Sequence, residues 1–192
     1  GIIDASDGIK VLPTTIASAP NSFEITTPGT TTYYYGDPQT ITVKAKDTYG
    51  NVKTNYTGLI TFSNTDISST KPADYTYLSS DYGSKTFTNG VIFSAISTGP
   101  DHWWLTVLNS TGTLFGGKTF IVEKRPITIT ADNQSKTYGD TKILGTSAFT
   151  VTSSMTPVLK AGESISSVTL TSSGAVNTAN QGNYTITSSG AT

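Results

Sequence analysis

The sequence predicts an all-β chain of two antiparallel β-sandwich modules in tandem, and three observations lead there. β-Branched and aromatic residues alternate with polar ones over short runs, which is the period of a half-buried strand. No stretch carries the period of about 3.6 residues expected of an amphipathic helix. The series of runs is interrupted once, at Glu123-Lys124-Arg125-Pro126, and resumes at Ile127-Thr128-Ile129. Pro126 fixes its own φ and pushes Arg125 towards an extended conformation, so this interruption reads as a short, stiff domain joint. The expected organisation is an N-terminal arm at 1–20, a first β-domain at 21–124 and a second at 125–192.

Composition sets the broad class. A length of 192 residues suits two ordinary domains. Only 13% of residues are charged, 35% are hydrophobic, and Ser and Thr together supply roughly three residues in ten. Such a polar, weakly charged surface is unlike that of a typical cytosolic protein, yet the ordered alternation argues for a folded chain. Net charge is −1 and the densest basic site is the pair Lys124-Arg125, so nucleic acid is not expected as a partner and anionic membrane is a poor one. There is no cysteine, so the sheets must hold together without disulfides. No apolar run approaches the roughly 18 residues of a membrane span, and the exported protein expected here would have its signal peptide removed or encoded outside this sequence.

Taken in order, Gly1 to Pro20 forms an arm with a turn at Asp7-Gly8 and a short strand Ile9-Lys10-Val11-Leu12 that Pro13 ends. Strand-like runs follow at 22–26, 39–47, 58–63, 75–79, 84–88, 91–96, 103–109 and 118–123. Asp47-Thr48-Tyr49-Gly50-Asn51 is a turn with Gly and Asn where positive φ is needed. Asn89-Gly90, between Lys85-Thr86-Phe87-Thr88 and Val91-Ile92-Phe93, predicts a two-residue hairpin.

Several of these segments carry a resemblance. Thr42-Val43-Lys44-Ala45-Lys46-Asp47-Thr48-Tyr49-Gly50-Asn51-Val52, then Asn55-Tyr56-Thr57-Gly58-Leu59-Ile60-Thr61-Phe62, Pro72-Ala73-Asp74-Tyr75-Thr76-Tyr77 and Phe87-Thr88-Asn89-Gly90-Val91 together resemble the bacterial immunoglobulin-like repeats of large surface proteins. The resemblance covers about 21–124 and implies an Ig-like sandwich used as a spacer or adhesive stalk. Ile127-Thr128-Ile129-Thr130-Ala131, Ser135-Lys136-Thr137-Tyr138-Gly139-Asp140, Val168-Thr169-Leu170-Thr171-Ser172 and Gly182-Asn183-Tyr184-Thr185-Ile186 resemble the MBG/YDG-type repeat of filamentous adhesins. That resemblance implies a small, mostly β module with a further final strand of the form N-G-x-L-x-V followed by Pro.

Asp7-Gly8-Ile9-Lys10-Val11-Leu12-Pro13 resembles that final strand. Two arrangements fit. Residues 1–13 finish a preceding repeat in a covalent array, or the arm of one molecule adds to the open edge of the next, with Ile9, Val11 and Leu12 as the inserted contacts.

Candidate chemistry is sparse. In Asp101-His102-Trp103-Trp104-Leu105-Thr106-Val107, strand alternation puts Trp103, Leu105 and Val107 in the core and His102, Trp104 and Thr106 outside. A lone His without Cys or a second His makes neither a zinc site nor a nucleophile–base pair. Tyr33, Tyr34, Tyr35 and Trp104 are the candidate contacts for a glycan, weighed against an ordinary role as cross-strand partners. The acids sit mainly in turns, where capping is their expected role, and no pair is placed as glycoside hydrolysis requires. No cofactor and no metal are expected. The four N-x-S/T sequons, at Asn55, Asn109, Asn133 and Asn183, are about as many as chance supplies.

The functional expectation is a non-enzymatic extracellular structural module of a surface adhesin, fibre or filament. Its partners would be copies of itself or adjacent repeats. The alternative is a glycan- or cell-surface-binding adhesin module using its exposed Tyr and Trp residues.

Overall fold

A computed structural model describes residues 20–29, 32–97 and 102–192. The chain divides between Lys124 and Arg125 into two compact units. Both are built from β-strands and loops, with single 3-10 turns at Ser79–Asp81 and Ser173–Ala175 as the helical elements.

The first unit is a two-layer sandwich. Strands β1 (Ser22–Thr26), β2 (Thr32–Tyr34), β3 (Pro38–Lys46), β4 (Leu59–Asn64), β5 (Tyr75–Thr76), β6 (Ser84–Ile92), β7 (Trp103–Asn109) and β8 (Phe115–Glu123) form two sheets, ordered β1-β3-β6 and β2-β8-β7-β4-β5. All pairings are antiparallel except β2 with β8, which run parallel. Period-2 alternation makes each strand two-faced, so Phe23, Ile25, Ile41, Val43, Ala45 and Val91 from one sheet meet Ile60, Phe62, Leu105, Val107, Phe120 and Val122 from the other. Tyr56, Tyr77 and Phe93, from the connections, complete this core.

The Asn89-Gly90 hairpin expected from the sequence is not present, nor is a separate strand over 91–96. Both halves pair instead with β3, as Ile41↔Phe87 and Gln39↔Val91, so 84–92 is one strand with a bulge opposite Thr40. Asn89 nevertheless takes φ 51°. A left-handed Asn serves a bulge as well as a turn, and pairing with the long β3 buries Val91 completely. The Asn89 N–H donates to Thr40 Oγ1 at 3.1 Å, which compensates for the ladder bond lost at the bulge.

The second unit contains β9 (Thr128–Ala131) paired with β10 (Phe149–Thr152), and β11 (Thr169–Thr171) paired with β12 (Thr187–Ser189), each pair antiparallel. Ser188 Oγ donates to the Ile129 carbonyl at 3.2 Å and joins the two ribbons. The second ribbon extends to the last residue through the Thr192 N–H, which donates to Ser167 O at 3.0 Å. Among the described residues of this unit only Val168 and Leu170 are buried hydrophobics, while Ile143, Tyr138, Val176 and Tyr184 remain exposed.

Candidate functional site

The most distinctive geometry of the first unit lies where the first and last strands of its five-stranded sheet meet. Thr32↔Ile121, Tyr33↔Val122 and Tyr34↔Glu123 form the parallel β2–β8 ladder, and the Tyr35 N–H extends it by donating to Glu123 O at 3.1 Å. Tyr33 anchors this ladder. Its ring is 3% exposed and meets Phe120 edge-on at 4.9 Å, and its hydroxyl hydrogen-bonds Thr27 Oγ1 at 2.7 Å. Tyr33 therefore presents no face to a ligand, which corrects its place among the candidate glycan contacts.

The other aromatic candidates are dispersed. Tyr35 is half-buried against the core. Tyr34 is half-buried on the outer face, opposite Glu123, and Trp104 lies on that same face opposite Thr119. Four residues of β8 and two strand spacings separate them, about 13 Å along the strands and about 10 Å across. They form no common platform. Trp104 is 43% exposed, with its indole laid over the backbone of Gly117: a Cβ there would lie 2.4 Å from the ring. This packing of an aromatic over a strand glycine gives Trp104 a structural role. Trp103 is half-buried, as expected from alternation, and donates from Nε1 to Ala95 O at 2.9 Å. His102 is exposed. Ile9, Val11 and Leu12, the residues expected to form the donor strand, lie outside the described residues.

The acids that the sequence puts in turns have concrete partners. Asp47 Oδ1 accepts the N–H groups of Tyr49 and Asn51, each at 2.9 Å, and Gly50 takes φ 82°. Asp66 accepts the Ser94 N–H and hydroxyl at 2.7 Å each, tying the segment after β4 to the segment after β6. Asp81 accepts the Leu78 N–H and the Tyr75 hydroxyl at 2.8 Å and pairs with Lys85. Among the described residues no group of three His, Cys, Asp or Glu is placed to hold a metal ion.

These bonds favour the carboxylates. For Asp47, burial pushes the pKa up but is outweighed by the amides of Asn51 and Tyr49 and by the Lys53 charge, and the net direction is down from 3.8. For Asp81 the Leu78 N–H, the Tyr75 hydroxyl and Lys85 also lower it from 3.8. A depressed folded-state pKa contributes stability that is present above the ordinary value and lost as pH falls through the folded one. Urea denaturation at pH 7 and at about pH 3 should therefore show the acid weakening of the parent reduced in Asp81→Asn. An unchanged difference between the two pH values would remove the carboxylate from that account.

In the second unit, the Tyr138-Gly139-Asp140 sequence is a tight turn. The Asp140 N–H donates to Thr137 O at 3.2 Å, and Gly139 at φ 91° supplies the positive φ that a type II turn needs at its third position. Lys136 Nζ caps this turn at Asp140 O and reaches Val176 O, at 2.9 Å each, so the turn is fastened to a segment 40 residues away.

No curated protein matches this chain. Residues 127–192 match the model of the MBG domain, YGX type, a structural, adhesin-type family found in surface adhesin-like proteins.

Proposed function

We propose that the chain is a non-enzymatic, load-bearing module of an extracellular surface adhesin, fibre or filament. The observation that carries this reading is the parallel β2–β8 ladder. The two strands lie near opposite ends of the first unit in sequence, yet they run side by side in the same direction. Tension between the unit's ends therefore draws β2 towards its N-terminal end and β8 towards its C-terminal end. All their hydrogen bonds are loaded together in shear, instead of opening one after another. Strand order adds support for an Ig-like unit: two packed sheets, antiparallel apart from the β2–β8 pair, with β4, β7 and β8 adjacent in one and β1, β3 and β6 in the other. The MBG match of the second unit supports the surface-adhesin setting.

The finer reading is that residues 7–13 complete the second unit of a neighbouring copy by donor-strand addition, Ile9, Val11 and Leu12 supplying the apolar contacts. Its support is the thin core of that unit, with only two buried hydrophobics described and both sheets two-stranded, so that edges stand open to pairing.

Single-molecule pulling through the two ends of the chain tests the load-bearing role. The first unit should unfold in one step, at a force clearly above that of the second. Yielding of the first unit at the same force or a lower one would exclude the shear clamp. For the donor strand, electron microscopy of the parent should show fibres, and Ile9→Asp with Val11→Asp should abolish them; a monomeric parent would rule it out.

A further inference from the structure

We propose that the second unit carries a binding site for an acidic saccharide segment, separate from Tyr33, Tyr34, Tyr35 and Trp104, the residues that the sequence offers as glycan contacts. Loops 131–144 and 172–186 enclose a cleft of about 770 Å³, within the range of about 300–1,000 Å³ typical of ligand sites. Its lining includes Asn133, Tyr138, Lys142, Asn180, Asn183 and Tyr184.

The chemistry of these groups selects the ligand. Each Asn amide offers donors and an acceptor in one plane, which suits the adjacent hydroxyls of a sugar. Tyrosine supplies an apolar ring surface with a polar tip, which suits the mixed faces of a pyranose. No Asp or Glu lines the cleft, whereas two lysines do. Lys136 is occupied with backbone carbonyls. Lys142 is half-buried and belongs to neither ion pair found among the described residues, Lys46–Glu24 and Lys85–Asp81. Neither lysine is paired with an acid among the described residues, so the cleft carries positive charge among neutral amides, which matches a saccharide carrying a carboxylate; a nucleic acid would call for more cations.

The walls are already fixed. The Tyr184 hydroxyl donates to Asn180 O at 3.0 Å, and its ring is seated on Gly174, where a Cβ would lie 2.6 Å away. The Lys136 bridge holds the Tyr138 turn to the segment at Val176 on the facing loop. Little ordering therefore remains to oppose binding, while Tyr138, 71% exposed, stays open to a ligand.

Amide NMR of the full chain, titrated with a galacturonate hexasaccharide and separately with neutral maltohexaose, tests this. Shifts should concentrate at 131–144 and 172–186 with the uronate. Lys142→Gln and Tyr138→Ala should each weaken binding at least about tenfold, Lys142→Arg should retain it, and Trp104→Ala should leave it unchanged. The proposal fails if neither sugar shifts these amides at about 10 mM, if maltohexaose binds as tightly as the uronate, or if a well-folded Lys142→Gln binds like the parent.

Discussion

Gly116→Ala should unfold the first unit or strip β1 from it. A Cβ at position 116 would stand 1.9 Å from the Phe23 carbonyl oxygen and 2.5 Å from its carbon, and both are backbone atoms of the strand lying across β8. No side-chain rotamer relieves that contact, so β1 must move. Phe23 and Ile25 would then leave the core, where they are 5% and 6% exposed, and the five-residue β1–β3 ladder from Ser22↔Lys46 to Thr26↔Thr42 would be lost with them. Exposing two such side chains costs about 3–6 kcal/mol in total, a large share of the roughly 5–15 kcal/mol by which a domain is stable. Gly50→Ala is the comparison. Gly50 takes φ 82° with nothing within 4 Å of an added Cβ, so only backbone strain of about 1–2 kcal/mol applies. Urea denaturation should show Gly116→Ala unfolded, or far below Gly50→Ala in midpoint, with hydrogen exchange accelerated throughout β1. Equal midpoints for the two variants would rule out the close crossing.

The alternation that sequence reasoning depends on made β1 and β7 readable, and it divided Trp103, Leu105 and Val107 from Trp104 correctly because each of those strands has one face on the core and the other towards solvent. It failed where structure depends on a distant partner. β2 is three residues of Thr-Tyr-Tyr with no alternation to detect, and it exists because β8, nearly 90 positions later, offers a parallel edge. Tyr33 looked like one of three equivalent tyrosines, yet pairing with Val122 turns it inwards. Asn89-Gly90 announced a reversal of φ but not its consequence, since a hairpin and a bulge use the same residues and only the availability of β3 decides between them. Gly116 and Gly117 gave no sign of their roles. One is needed because β1 crosses it, the other because Trp104 covers it. The cleft of the second unit was equally hidden, its walls coming from two loops some 40 residues apart in the chain, although the Tyr138-Gly139-Asp140 turn on its rim is plain in the sequence.

Tyr77→Ala should cost about 3–5 kcal/mol, the range for emptying a large aromatic site in a close-packed core. Tyr77 is 1% exposed, its ring meets Tyr56 at 5.2 Å and Tyr75 at 5.8 Å, and its N–H donates to Gly58 O at 3.2 Å. It stands just beyond β5, at the edge of the five-stranded sheet, but its hydroxyl donates to Val43 O at 2.7 Å in the middle strand of the other sheet. The residue thus joins the two layers by packing and by one buried hydrogen bond, and Tyr77→Phe separates these contributions. It retains the ring and removes the hydroxyl, so it should cost about 1–3 kcal/mol. The same variant identifies the alkaline limit of stability. Burial first, and then the charges of Tyr56, Asp81 and Tyr75, hold the Tyr77 phenol well above its ordinary value of 10.0. The folded chain keeps a proton that the unfolded chain releases. That contribution is complete below the ordinary value and declines as pH rises towards the folded one. Burial also raises Tyr56, so two phenols steepen the decline of the parent above about pH 10 and only one acts in Tyr77→Phe. Urea midpoints measured from about pH 8 to about pH 11 should therefore fall less steeply for Tyr77→Phe than for the parent. Parallel curves would show that the hydroxyl seated on Val43 is free to ionise in the folded state, and the hydrogen bond joining the two sheets could not then be closed.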